Sequence, residues 1–420
     1  MSKKICPLSL RDREKRHESP PALPGLPSRM SMRHTEKIFI VSGGTGGHII
    51  PARCLAEYLA AQKQEVVFLG DRKIASYIKP ADVFKSEFVC SSQLPKSKIA
   101  LIKAALKIGY GIWQSLYFFL RDKPKYVVAF GGYSTFPVLI AAILTKTDII
   151  LHEQNAHLGK VNRIFAKYAK KIALSFVETS GITENDLKKT IFVGNPVRQE
   201  ILDLSQIPYS LPVQEPEEIK PDNKMGYDVL LASDFYQKEK EKAQNLFNIL
   251  VIGGSGGAKI FSEILPKAFF NLSENIKSQL QITQQCRAEL MTATFEQYKS
   301  FNINIVIDSF FVNMPELIKS SHLVIARSGS SSIFEFCAAK KPMILVPFAL
   351  SADNHQEKNA RYLEKNGAAI VVNESEFTIN KINELLKNLI DSHATLKKMS
   401  DNAASLAVLD ATKNLALLVE

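Results

Sequence analysis

Several signatures are missing from this sequence, and each absence removes a class of function. The 420 residues contain five cysteines, Cys6, Cys54, Cys90, Cys286 and Cys337, odd in number and without a CxxC pair. That pattern excludes a disulfide framework and a zinc site and points to a reducing compartment. There is no HExxH, no D-x-D pair and no Walker lysine at the end of a glycine loop. A P-loop NTPase and a metal-clamped nucleotide are therefore not indicated, and no metal or cofactor is expected. Residues 1–36 are basic and proline-rich without an apolar segment, so they are neither a signal peptide nor a membrane span. They are expected to be a disordered extension, with Met30 and Met32 as alternative starts just before the first strand.

What is present is the composition of a soluble globular protein, 46% apolar and 23% charged, long enough for two or three domains. The excess of 53 basic over 42 acidic residues, net +11, suits an anionic partner: nucleic acid, an anionic membrane or a polyanionic small substrate.

Two stretches organise the chain. Ile38-Phe39-Ile40-Val41-Ser42 is a short apolar run that meets Gly43-Gly44-Thr45-Gly46-Gly47-His48, followed by a helical segment over 51–62. The same device returns at Ile249 to Ile252, Gly253-Gly254-Ser255-Gly256-Gly257 and a helix over 258–272. Glycines let main-chain N–H groups approach an anion, and a helix N-terminus adds partial positive charge. Two strand-GGxGG-helix units suggest an α/β protein made of two Rossmann-like halves with parallel sheets facing one cleft.

Between and after them, strands are expected at 65–70, 126–130, 148–151, 191–193, 303–307, 323–325 and 342–347, and helix from Lys160 to Ala173. Several strands end in polar clusters: Gly131-Gly132-Tyr133-Ser134, His152-Glu153-Gln154-Asn155 and Gly194-Asn195-Pro196-Val197-Arg198. Ligands of open α/β sheets bind at these carboxyl ends. The domains are read as 37–200 and 248–400, joined by a proline-rich linker or insertion over 201–247, with a last helix in 401–420 returning to the first domain.

Residues 96–125 differ in character. Ile102, Leu106, Trp113 and Phe118 lie among Lys103, Lys107 and further basic residues, with the chain's only tryptophan among them. The charges make a span implausible, and the pattern reads as a patch lying on an anionic membrane. The alternative is a set of helices covering the sheet.

His48, at a helix N-terminus where a cation is disfavoured, is the candidate general base; its alternative is a phosphate donor or helix cap. Glu153 with His152 is the second candidate pair. Glu335, inside a helix opened by Ser328-Gly329, suits a grip on vicinal ribose hydroxyls or a solvated helix face equally well. His355, Gln356 and Asn359 share one helix face and could meet sugar hydroxyls.

Taken in order, GGTGGHIIPA, GGY, HEQNAHLGKVNR, GNPVR, GGSGGA, RSGSSSIFE and DNHQEKNA resemble the MurG family of bacterial UDP-N-acetylglucosamine transferases over about residues 37–400. The resemblance implies the two-domain GT-B architecture and a metal-independent, inverting transferase at the cytoplasmic face of the inner membrane, without nucleic acid. It would move GlcNAc from UDP-GlcNAc to the 4-hydroxyl of lipid I, yielding lipid II in peptidoglycan synthesis. By the same resemblance Ser255 lies near the donor diphosphate, Glu335 on the ribose, Phe311 near the uracil, and His355 and Gln356 on the sugar. Thr45, Gly46, Gly47, Asn155 and Arg198 line the donor site across the cleft. Gly43, Gly44, Gly131, Gly132, Tyr133 and Asn162 would receive the acceptor diphosphate. The patch would rest on the inner leaflet, with other cell-wall synthesis proteins as further partners. The chain departs from the family where Gln284-Gln285-Cys286-Arg287 replaces the usual HQTG, in the length of its interdomain stretch, and in its first 36 residues. A GT-B transferase with another lipid acceptor would lack the HEQN cluster, and a non-catalytic nucleotide-sugar binder would tolerate loss of the polar cleft residues.

Overall fold

A computed structural model describes residues 36–78, 82–93, 97–212, 246–254, 256–301 and 303–420. The expectations for residues 1–35, for most of the interdomain stretch (213–245) and for Ser255 lie outside the described residues.

The strands are β1 (Ile38–Val41), β2 (Val66–Gly70), β3 (Lys85–Phe88), β4 (Tyr126–Ala129), β5 (Asp148–Glu153), β6 (Lys171–Leu174) and β7 (Thr190–Phe192), then β8 (Phe247–Ile252), β9 (Leu280–Gln285), β10 (Asn304–Asp308), β11 (Leu323–Ala326), β12 (Met343–Leu345) and β13 (Ala369–Val371). They form a seven-stranded sheet of order β3-β2-β1-β4-β5-β6-β7 and a six-stranded sheet of order β10-β9-β8-β11-β12-β13. Every pairing is parallel; Ile38, for instance, stands opposite Val66 on one side and Tyr126 on the other. Parallel sheets are covered on both faces, which is why β1, β2 and β4 read as unbroken apolar runs. Strand order reverses beside β1 and beside β8, so each glycine loop leaves its sheet at a switch point, where α/β sheets hold ligands.

Several elements depart from the sequence reading. The first helix spans Gly46–Ala61, so His48 lies in its first turn and Pro51 inside it. Lys171–Leu174 is a strand, not the end of a helix; the helix stops at Phe165 after six residues. Ile172 and Ala173 are fully buried, and a three-residue apolar run between two sheet neighbours carries no period that separates strand from helix. Strands β3, β9 and β13 were not anticipated, because Lys85-Ser86-Glu87-Phe88 and the glutamine-bearing β9 lack the apolar pattern of a central strand. Residues 201–212 are not a free linker. Ile201 is buried in the second half's core, and Tyr209 Oη donates to the His322 carbonyl at 2.7 Å.

The C-terminal region is two helices rather than one, His393–Leu406 and Ala411–Ala416. The break lets the chain pass over Gly194, where Val408 Cβ lies 2.5 Å from the position a Cβ would take. Gly194 also has φ +86°, a second reason no side chain fits. Leu415, Ala416 and Val419 then enter the core formed by Ile38, Ile40, Leu55 and Phe68.

Lys98–Asp122 is one helix of 25 residues. Ala104, Gly111, Ser115, Phe118 and Phe119 face inward, and Phe119 meets Phe39 edge to face at 5.0 Å. Phe118, at 8% exposure, belongs to this core and not to an outer patch. The opposite face exposes Ile99, Ile102, Leu106, Tyr110, Trp113, Tyr117 and Leu120. Their spacing of three or four residues makes an apolar stripe about 31 Å long. No helix among the described residues is long and apolar enough to cross a membrane.

Candidate functional site

The polar clusters at the strand ends converge where the two halves meet. Behind the first loop, Gly43 packs so tightly that a Cβ there would lie 2.1 Å from Ser134 Oγ, and Gly44 takes φ +88°. The hydroxyls of Ser42 and Ser134 are buried and have no hydrogen-bond partner among the described residues. Lys73 Nζ sits 5.9 Å over the Tyr133 ring and 3.5 Å from the Gly44 carbonyl oxygen, a cation beside the loop that the sequence reading missed. The Tyr133 hydroxyl is already committed: it donates to Asp71 Oδ2 at 2.7 Å. Burial, with that carboxylate, pushes its pKa up to about 12. Tyr133 therefore forms a wall of this loop, with its phenol turned away.

The HEQN cluster divides into two roles. Glu153 is 1% exposed, and its carboxylate accepts from the Asn155 N–H and Asn155 Nδ2, both at 3.0 Å, and from the Gly159 N–H and Asn162 Nδ2, both at 2.8 Å. Four donors leave it no lone pair facing the cleft, so it anchors the loop after β5 and does not have the geometry of a base. Asn162 is likewise buried beneath this loop, donating also to the His152 carbonyl at 3.1 Å, and does not face an acceptor. His48, half-buried, places Nδ1 2.8 Å from Gln154 Oε1. Gln154 Nε2 in turn lies 2.9 Å from His152 Nδ1 and 3.2 Å from the His152 carbonyl, and His152 Nε2 lies 3.1 Å from the Gly194 carbonyl. Complete burial lowers the His152 pKa to about 4, opposed by the Gly194 hydrogen bond and aided by His48, so the ring is neutral at physiological pH.

Across the cleft, several expected donor-site residues contact one another. Arg198 Nε and Nη2 donate to Glu335 Oε1 and Oε2 at 2.6 and 2.7 Å. Pro51 has no N–H, which frees the Gly47 carbonyl from the helix ladder; Ser331 Oγ, from the opposite half, donates to it at 2.9 Å. Asn359 is fully buried, accepting from the Ala156 N–H at 2.8 Å and donating to Asn155 Oδ1 and the Ser328 carbonyl at 3.1 Å. Its amide joins the halves and, being fully buried there, is not open to a sugar. Arg163 pairs with Asp353 at 2.7 Å. Asp353 and Asn354 both adopt left-handed backbone, with φ of +51° and +53°, just before the helix His355–Lys365. His355 Nδ1 donates to the Ala352 carbonyl at 2.7 Å, and Gln356 Oε1 accepts from the Phe348 N–H at 3.0 Å. Thr45 is exposed as the residue before the first helix, and Phe311 lies half-buried after β10.

On the second loop, Gly254 and Gly257 have φ of +83° and +64°, and the helix Lys259–Phe270 follows. Arg287 closes over it, with Nε 3.4 Å from the Gly257 carbonyl. Its backbone and side chain pack against Gly257, where a Cβ would lie 3.0 Å from Arg287 N and 3.1 Å from Arg287 Cγ.

Models for the glycosyltransferase family 28 N-terminal and C-terminal domains match residues 38–174 and 248–415. The chain belongs to glycosyltransferase family 28. Within the family it is similar to the protein of Caulobacter vibrioides named UDP-N-acetylglucosamine--N-acetylmuramyl-(pentapeptide) pyrophosphoryl-undecaprenol N-acetylglucosamine transferase, 35% identical over 385 residues, 91% of this chain and 97% of the relative. The protein of the same name from Rhodospirillum centenum is 32% identical over 379 residues, 90% and 92% of the two chains. The crystal structure of Acinetobacter baumannii MurG superposes with a TM-score of 0.66 at 24% identity, covering 91% of this chain and 98% of that one. A Neisseria meningitidis UDP-GlcNAc 2-epimerase bound to UDP-GlcNAc gives 0.61 at 15% identity, covering 91% and 100%. Both likenesses establish the GT-B architecture of this family 28 chain.

Proposed function

We propose that this protein transfers N-acetylglucosamine from UDP-GlcNAc to the 4-hydroxyl of MurNAc in undecaprenyl-pyrophosphoryl-MurNAc-pentapeptide, giving lipid II and UDP. The observation that carries the reading is full-length similarity, 35% identity over 91% of this chain and 97% of a relative bearing that name, joined to the cleft chemistry above. The second half takes the donor. Backbone N–H groups of the loop after β8, the N-terminus of the helix Lys259–Phe270 and Arg287 hold the diphosphate, with Glu335 at the ribose, and Phe311, His355 and Gln356 around the base and sugar. The first half takes the acceptor, its diphosphate on the loops Gly43–Gly47 and Gly131–Gly132 beside Lys73. His48 Nε2 removes the proton of the acceptor hydroxyl as that oxygen attacks C1 from the face opposite UDP, inverting the centre.

Charge developing on the UDP leaving group is met by fixed N–H dipoles and guanidinium rather than by a metal, so the reaction needs no cation. The lipid tail places the reaction at a surface. The stripe from Ile99 to Leu120, flanked by Lys103 and Lys107, supports docking on the anionic cytoplasmic leaflet of the bacterial inner membrane. Other cell-wall synthesis proteins would be met there.

The test is UDP release from UDP-GlcNAc by purified full-length protein in detergent with EDTA, with and without a short-chain lipid I analogue. Acceptor-dependent release at an undiminished rate in EDTA is the expected result. Donor binding with no release in the presence of that acceptor would overturn the assignment.

A further inference from the structure

The side chains of His152, Gln154 and His48 lie in line between the Gly194 carbonyl and the cleft, and the hydrogen-bonding capacity of each partner decides where the protons between them sit. The Gly194 and His152 carbonyl oxygens can only accept. The nitrogen of the Gln154 amide lies 3.2 Å from the His152 carbonyl, so the amide must present N–H there, whatever the ring beside it does. The Nε2 atom of His152, 3.1 Å from the Gly194 carbonyl, must also carry a hydrogen. Ser175 Oγ, 3.3 Å from that carbonyl, donates to the same acceptor. A neutral His152 then offers its Nδ1 lone pair, which is met at 2.9 Å by the second Gln154 N–H. Both Gln154 hydrogens are used, and its oxygen faces His48 Nδ1 at 2.8 Å. A carbonyl oxygen cannot donate, so His48 Nδ1 bears the hydrogen.

We infer that Gln154 is a positioning residue: its amide, held in one orientation by His152, fixes His48 as the Nδ1–H tautomer and leaves the Nε2 lone pair for the acceptor hydroxyl. Nε2 has no hydrogen-bond partner among the described residues. The ring is set between the two glycine loops of the first half, with Cδ2 3.6 Å from where a Cβ on Gly132 would lie. A histidine base is more usually oriented by a carboxylate, which also stabilises the imidazolium that forms. An amide orients without adding negative charge next to loops read here as diphosphate sites. The consequence for catalysis rests on the reading of His48 as base; the tautomer itself does not.

The experiment is long-range 1H–15N correlation on full-length protein labelled at its eight histidines, with His48→Ala and His152→Gln used to assign the two rings. Kinetics of Gln154→Met accompany it. The expected spectrum shows His48 protonated on Nδ1 and His152 on Nε2. In Gln154→Met the His48 signal should move toward the Nε2–H form, while kcat falls about 10- to 100-fold with KM for UDP-GlcNAc unchanged. An Nε2–H signal for His48 in the wild type overturns the relay, even if His48→Ala is inactive. A wild-type kcat in His48→Ala overturns the base reading, and with it the catalytic part of the inference, whatever the spectrum. Because the wild-type spectrum decides the tautomer, poor folding of a variant does not blunt the test.

Discussion

Arg198 and Glu335, 137 residues apart, form a bidentate ion pair across the two halves, with both hydrogen bonds at 2.7 Å or less. Glu335 is 5% exposed, whereas the Arg198 side chain keeps 31% of its surface. Removing the arginine strands a buried carboxylate; removing the glutamate leaves a guanidinium that water can reach. Arg198→Ala should therefore cost about 3 kcal/mol of stability and Glu335→Ala about 1 kcal/mol. Urea unfolding of both variants and the double variant measures this, and an equal or reversed cost would contradict the asymmetry. Both should weaken UDP binding, because both side chains lie at the proposed donor site.

Gly109 and Gly111 occupy one helix but opposite faces. A Cβ at Gly109 meets nothing within 4 Å, while one at Gly111 would lie 1.9 Å from the Cys90 carbonyl oxygen. Gly109→Ala should raise stability by about 0.5–1 kcal/mol through helix propensity alone. Gly111→Ala must push the helix off β3 and its following loop, costing about 2 kcal/mol or more. Thermal melts compare them directly; destabilisation by both would mean that the outer face is not free.

His152 is buried and His322 half-buried, and both are neutral, each with its pKa lowered from 6.5 to about 4 chiefly by burial, and His322 further by Lys341 and His393. A histidine whose folded pKa lies below its unfolded value binds fewer protons when folded. Its stabilising contribution is thus complete above about pH 6.5 and is lost as pH falls toward 4. Linkage gives about 2 kcal/mol lost per residue by pH 5. Denaturant titrations at pH 8 and pH 5 should show that His322→Asn flattens the decline; an unchanged slope would remove His322 from the account.

Trp113 is the chain's single tryptophan and is 63% exposed in the middle of the apolar stripe. Its emission should shift to the blue with anionic phosphatidylglycerol vesicles, and much less with zwitterionic vesicles or in high salt. Reversing Lys103 and Lys107 to glutamate should weaken vesicle binding at least 10-fold, each basic residue near such a surface contributing about 1 kcal/mol. No shift on anionic vesicles would leave the stripe to a protein partner.

Much of this architecture was legible in one dimension because parallel sheets bury both faces and so write their central strands as apolar runs, each ending in a loop. Ile38–Val41 and Phe247–Ile252, with the glycines after them, needed no partner to be recognised. Strands that lack a continuous apolar run were not legible. Lys85–Phe88 is polar at the sheet margin, and Leu280–Gln285 carries glutamines whose burial depends on partners such as the Tyr298 hydroxyl, 2.8 Å from Gln284 Oε1.

The order of motifs along the chain determined the family, the parallel α/β class and which strand ends bear polar residues, since local pattern and spacing suffice for that. Roles within a motif were decided only by folding. In His152-Glu153-Gln154-Asn155, alternation along a strand and the loop after it sends adjacent residues to different surroundings. Glu153 turns under the loop to meet four donors, Gln154 turns toward His48, and Asn155 reaches Asn359, 204 residues away. Phe118 and Trp113, equally apolar in the sequence, part company because one faces the sheet and the other solvent. Spacing along the chain names the residues at a site, but the donors and acceptors brought around each side chain by distant segments determine what it can do.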